Sequence, residues 1–129
     1  MPKEFIFSEN APEPIGPYCQ AVKVKDMLFL SGQLPINPKT NEMVEGGIQN
    51  QIRQIIENIT AVLTAAGGSI ADIVKTTIFI TDMQEFGEIN KIYSEYFNAS
   101  IPARSCVEVS NLPKQASIEM EAIAIINVT

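Results

Sequence analysis

Ser117-Ile118-Glu119-Met120-Glu121-Ala122-Ile123-Ala124-Ile125-Ile126 is the stretch whose reading decides the fold. Successive side chains of a strand point to opposite faces of its sheet. Ile118, Met120, Ala122, Ala124 and Ile126 therefore fill one face, while Ile123 and Ile125 make the other apolar too. A strand of this kind, read over 117–127, belongs in a sheet that is covered on both sides.

The clearest helix lies upstream. Ile48, Ile52, Ile55, Ile56, Ile59, Val62, Leu63 and Ala66 recur at spacings of three and four, with Gln49, Arg53, Gln54, Glu57 and Asn58 expected away from that stripe. Gly67-Gly68 ends it. Asp82 is placed to cap a second helix over about 84–97, with a stripe of Phe86, Ile89, Tyr93, Tyr96 and Phe97. Strands are expected at 3–7, 20–24, 27–31, 73–80 and 103–109, with 34–47 a long surface loop rich in Pro and Gly. The order β-β-β-α-β-α-β-β predicts an α+β fold: one mixed sheet, antiparallel hairpins at both ends, and two helices on one face. Two helices cannot cover both faces of such a sheet, so the pattern asks for a partner chain.

At 129 residues the chain is expected to be one domain, 1–129, burying roughly two thirds of its unfolded surface. The net charge of −6 and the scattering of nine basic residues argue against nucleic acid as a partner. Apolar runs of about five residues fall far short of a membrane span, and the start lacks a secretory segment, so a cytoplasmic location is expected. The glycosylation patterns at Asn58-Ile59-Thr60, Asn98-Ala99-Ser100 and Asn127-Val128-Thr129 then carry no weight. Cys19 and Cys106 are the only cysteines and there is no His, which excludes a His-based triad and every His metal site and argues against a structural zinc. No phosphate-binding glycine motif supports a nucleotide cofactor.

Two anomalies point to chemistry. Arg104 interrupts an apolar stretch, Ile101-Pro102-Ala103-Arg104-Ser105-Cys106-Val107-Glu108-Val109, sharing a face with Cys106 and Glu108. Its planar fork fits a carboxylate at two points, or it forms a salt bridge to Glu108 or to a partner chain. Glu119 and Glu121 share a strand face and serve acid/base work, hold a divalent ion, or lie solvated at an edge or rim. Pairing the last two strands as a hairpin sets Arg104 opposite Ile123, roughly 13 Å from Glu119 along the strand. Either that register is shifted or the site is completed across a chain boundary. Asn90, four after Phe86 and three before Tyr93, needs a partner in backbone or ligand. Ser31-Gly32 ends a strand where backbone can approach a ligand, and Tyr18 is a candidate rim aromatic. Cys106 is read as an inert buried thiol, since no His exists to activate it.

Ile15-Gly16-Pro17-Tyr18, Ser31-Gly32-Gln33, Ile73-Val74-Lys75-Thr76-Thr77, the Arg104 stretch and Ile118-Glu119-Met120-Glu121-Ala122-Ile123-Ala124 together resemble the RidA/YjgF family of enamine/imine deaminases. The resemblance spans essentially the whole chain. It implies a chorismate-mutase-like fold and a homotrimer whose sheets form a central barrel, with clefts between subunits. It further implies hydrolysis of 2-aminoacrylate-type enamines and 2-imino acids (2-iminobutanoate, 2-iminopropanoate) to 2-keto acids and ammonia, without a cofactor. Carried over by position, Arg104 matches the carboxylate-binding arginine and Glu119 the carboxylate that orients water. Tyr18, Ser31 and Asn90 match polar site residues, and Gly32 and Cys106 match main-chain contacts to ligand. The rival expectation is a non-catalytic binder of small carboxylic acids that senses metabolites or regulates a partner. Chorismate mutase itself shares only the fold.

Overall fold

The computed structural model describes residues 2–126. The long helix, α1 (Ile48–Ala65), forms where the isoleucine stripe places it, and buries Ile52, Ile55, Ile56, Ile59, Val62 and Leu63 against the sheet. Fully burying each such side chain is worth roughly 1.5–3 kcal/mol, which outweighs the modest helix propensity of β-branched residues. At its end the amide of Gly67 donates to Thr64 O and that of Gly68 to Leu63 O, with Gly67 at φ +88°. This double closure requires a left-handed residue and explains the glycine. Asn58 differs from expectation. It is fully buried, donating to Leu34 O (3.2 Å) and Ile36 O (3.0 Å) while accepting from Gln54 Nε2 (2.8 Å). A buried amide is tolerated because its hydrogen bonds are made, and the same burial removes its glycosylation pattern from reach.

Those bonds tie down 34–47, which is more than a surface loop. Strands β4 (Ile36–Asn37) and β5 (Glu42–Met43) pair within it, and Leu34, Ile36 and Ala116 form a second small core.

The main sheet contains β1 (Glu4–Ile6), β2 (Ala21–Val24), β3 (Met27–Gln33), β6 (Ile73–Ile80), β7 (Ala103–Glu108) and β8 (Ile118–Ile125), in the spatial order β1-β2-β3-β8-β6-β7. Between β6 and β7 runs α2 (Phe86–Tyr96), entered through a tight turn at Met83–Glu85 that Asp82 caps by accepting from Gln84 N (3.0 Å). The chain thus adopts the expected α+β, chorismate-mutase-like arrangement of two helices on one face of a mixed sheet.

The C-terminal hairpin is where expectation fails. β8 pairs antiparallel with both β3 and β6, and β7 pairs with β6 in parallel, so β7 and β8 never touch as neighbours. The reason lies in composition and connectivity. β8 is apolar on both faces and takes the interior, while the mostly exposed β7, carrying Arg104 and Glu108, takes the edge. A helix linking two strands is also the connection that parallel pairing needs.

The helix side of β8 buries Ile118, Met120, Ala122 and Ala124. No helix covers the other side. There the strand register aligns Phe5, Val22, Phe29 and Ile123 in one row, beside a second row of Val24, Met27 and Ile125. Phe5 is 66% exposed and Phe29 41%. Asn127-Val128-Thr129, including the expected last residue of the strand, lies outside the described residues.

Candidate functional site

Arg104 pairs with Thr76 across the β6–β7 ladder, and its side chain reaches the helix side of the sheet. Its Nη1 donates to Asn90 Oδ1 at 2.7 Å. The guanidinium carbon lies 5.4 Å from the Phe86 ring centre and 4.9 Å from that of Tyr93. Phe86, Asn90 and Tyr93 occupy one face of α2, so a single helical stripe both packs the core and seats the cation. Among the described residues the one ion pair is Arg53–Glu95 (2.9 Å), so Arg104 has no internal counter-ion there. Glu108, the salt-bridge partner considered from sequence, instead accepts from Met83 N at 2.7 Å and holds the turn into α2. The outcome is a half-buried guanidinium set beside two aromatic rings and bonded to Asn90, with donors left over.

Cys106 follows Arg104 on the same face. Burial raises its thiol pKa and Arg104 only partly opposes this, so it stays protonated and unreactive. Burial likewise raises the Tyr93 phenol, against the Thr76 hydrogen bond and the Arg104 charge.

The second group of residues meets elsewhere. An open cleft of about 390 Å³ is lined by Ile15, Tyr18, Ser31, Gly32, Pro113, Glu119 and Glu121. Leu30 pairs with Ala122 and Gln33 with Met120, so β3 spends one residue more than β8 in this interval. That bulge at Ser31-Gly32 turns the strand beside the site, as bulges commonly do. Ser31 Oγ donates to Cys19 O (2.7 Å) and its amide to Gln20 O (2.9 Å). Gly32 leaves room for Glu119 in its present position: a Cβ there would lie 2.5 Å from Glu119 Oε2 and 2.8 Å from Cδ. Tyr18 Oη accepts from Ile15 N at 3.2 Å, closing the 15–18 turn at the rim. Glu119 is half-buried, and its pKa is raised first by burial and then by the neighbouring Glu121.

The two groups do not converge within one chain. Arg104 is level with Thr76 and Glu119 with Phe79, and residues three apart on β6 point to opposite faces. Arg104, Asn90 and Cys106 thus sit on the helix side, with Tyr18, Ser31, Gly32 and Glu119 on the other. A larger hollow of about 620 Å³ is lined by Phe7, Glu9, Glu13 and Pro38 among others, and no cation lines it to hold an acid. Among the described residues no cluster of His, Cys, Asp and Glu is arranged to hold a metal, and no helix is long and apolar enough to cross a membrane. Sequence reasoning treated Phe86 and Tyr93 as core alone. Their spacing around Asn90 was the available signal that they flank the cation.

The family model described as Endoribonuclease L-PSP matches residues 8–126. A RutC family protein of Pyrococcus horikoshii is 57% identical over 122 residues, covering 95% of this chain and 97% of its own. A 2-iminobutanoate/2-iminopropanoate deaminase of Escherichia coli K12 is 50% identical over 123 residues, covering 93% and 95%. The crystal structure of E. coli TdcF with bound serine superposes with a TM-score of 0.91 at 43% identity, covering 96% of this chain and 99% of that one. With near-complete coverage on both sides, this chain belongs to the RidA/YjgF family.

Proposed function

We propose that the chain is a cytoplasmic hydrolase that deaminates 2-imino acids, and that each active site forms where the Arg104 side of one copy meets the Glu119 cleft of the next in a homotrimer. The observation that carries this reading is the Arg104 fork, held beside two aromatic rings and bonded to Asn90 yet without a counter-ion among the described residues. A fixed guanidinium of this kind is suited to a carboxylate. The uncovered apolar face supplies the surface for a second copy. The deaminase name of the E. coli relative and the serine in TdcF fit a small ligand that carries a carboxylate beside a nitrogen-bearing carbon.

Arg104 grips the substrate carboxylate and so fixes the adjacent C=N carbon. Glu119, ionised, accepts a proton from a water molecule as the water oxygen bonds to that carbon and the C=N π electrons move to nitrogen. The carbinolamine nitrogen is protonated, with Glu119 able to return the proton it took. The hydroxyl proton of the carbinolamine passes to the nitrogen by way of Glu119 or solvent, the C–N bond breaks, ammonia leaves with the electron pair, and the oxygen left behind forms the carbonyl of the 2-keto acid. Imine hydrolysis is already facile in water, so orientation and one proton shuttle, worth a few kcal/mol (order of magnitude), suffice.

The test generates 2-iminobutanoate with a threonine dehydratase and follows keto-acid release. The chain is expected to accelerate release over buffer, and Arg104→Ala to abolish the acceleration while leaving fold and assembly intact. Near-normal turnover by that variant would remove Arg104 from the mechanism. Binding of 2-oxobutanoate without any acceleration would favour a non-catalytic carboxylate binder.

A further inference from the structure

Of the side chains around the Arg104 guanidinium, Tyr93 is itself tied from behind by a side chain of the sheet. Its hydroxyl lies 2.7 Å from Thr76 Oγ1, and Thr76 is fully buried. Thr76 is also the β6 residue directly level with Arg104. The three residues therefore form a compact group: Arg104 lies by the Tyr93 ring, Tyr93 meets Thr76, and Thr76 is level with Arg104 across the ladder. A second ring, Phe97, packs on Tyr93 at 4.5 Å between centres and restrains it further.

We infer that Tyr93, tethered by Thr76, is a positioning residue that sets the plane of the Arg104 fork and hence its two-point grip on a carboxylate. This rests on the reading of Arg104 as the carboxylate anchor. The physical reason is the flexibility of arginine. Two parallel N–H···O bonds need the guanidinium and carboxylate coplanar, and an unrestrained side chain must be ordered at the moment of binding. A ring held against one guanidinium face removes that freedom in advance. Such a device serves a planar fork and would do nothing for a point charge. A tyrosine that merely filled the core would contribute stability and leave ligand affinity alone.

The chain contains two arginines, Arg53 and Arg104, so 15N-arginine labelling gives two Nε–H signals. Arg53, paired with Glu95 on the surface, is an internal control. In the wild type, ring currents should displace the Arg104 signal, and sodium 2-oxobutanoate should shift it further. Tyr93→Leu is expected to return that signal towards an ordinary arginine position and to weaken 2-oxobutanoate on the order of tenfold. Tyr93→Phe keeps the ring and is expected to weaken binding roughly two- to threefold. Thr76→Val should match it, and the double variant should be no worse than either, because both remove the same contact.

A folded Tyr93→Leu protein with wild-type affinity overturns the inference, wherever its Arg104 signal lies, because loss of the ring current alone moves that signal. If that variant does not fold, full affinity in both Tyr93→Phe and Thr76→Val overturns it instead. A wild-type Arg104 signal that ignores 2-oxobutanoate overturns the carboxylate reading and this inference together. Failure of Tyr93 alone leaves that reading standing.

Discussion

In the proposed mechanism Glu119 must be ionised to take a proton from water, and its surroundings work against that. Burial and the Glu121 charge both raise its pKa, so protonation sets in at a higher pH than for a free glutamate. The acid limb of the pH–rate profile should accordingly lie above the ordinary carboxylate range. Glu121→Gln removes the like charge and keeps the burial, so the limb should move to lower pH without reaching that of a free glutamate. A limb unmoved by Glu121→Gln would show that the rate reports another group. Gly32 makes a separate demand. Its Cβ position collides with the far end of the Glu119 side chain, which can swing away cheaply. Gly32→Ala should therefore change stability by less than about 1 kcal/mol and lower kcat at least tenfold, read by thermal unfolding and the coupled assay. At this scale the sequence was informative where a residue was out of place. Arg104 and Glu119 stood out as charges in apolar strands. The crowding of Gly32 against Glu119 was not legible, because it depends on a bulge that pairs residues nearly ninety positions apart.

Among the elements, the connection from β7 to β8 carries unusual backbone. Lys114 and Gln115 both have positive φ, 55° and 58°, though neither is glycine, and the turn sits beside Pro113 on the rim of the Glu119 cleft. Left-handed conformations of non-glycine residues cost of order 1 kcal/mol or more. Gln115→Gly should relieve that strain and, after its greater chain entropy is offset, leave stability unchanged or raised by up to about 1 kcal/mol in denaturant unfolding. A clear loss of stability would mean that the Gln115 side chain makes an unrecognised contact. Periodicity made α1, α2 and the main strands legible, since burial follows spacing directly. Strand partners were not, and the C-terminal hairpin was misplaced for that reason. The alternation β6-α2-β7 already contained the parallel solution, yet proximity in sequence favoured pairing β7 with β8. Asn58 was misread for a related cause: its hydrogen bonds go to residues more than twenty positions away.

For the whole molecule, the two halves of the candidate site point away from each other through the thickness of one sheet. If each working site joins Arg104 of one copy to Glu119 of another, two dead variants should rescue one another. Mixing Arg104→Ala with Glu119→Gln protein, unfolding and refolding them together, should restore about a quarter of wild-type activity in a randomly mixed trimer. A mixture as inactive as its components would place both residues in a single chain's site. The uncovered apolar face was legible early, from a strand greasy on both sides with only two helices available. The placement of Arg104 and Glu119 on opposite faces was not, because it depends on which strand lies between them.

The back-to-back arrangement also ties output to stoichiometry. A lone molecule would own two unusable halves, and a pair joined by one head-to-tail contact would assemble one complete centre for two polypeptides. Closing the circle with a third would give three centres for three polypeptides. Turnover per polypeptide should then fall with dilution as soon as circles begin to open, before any protomer unfolds.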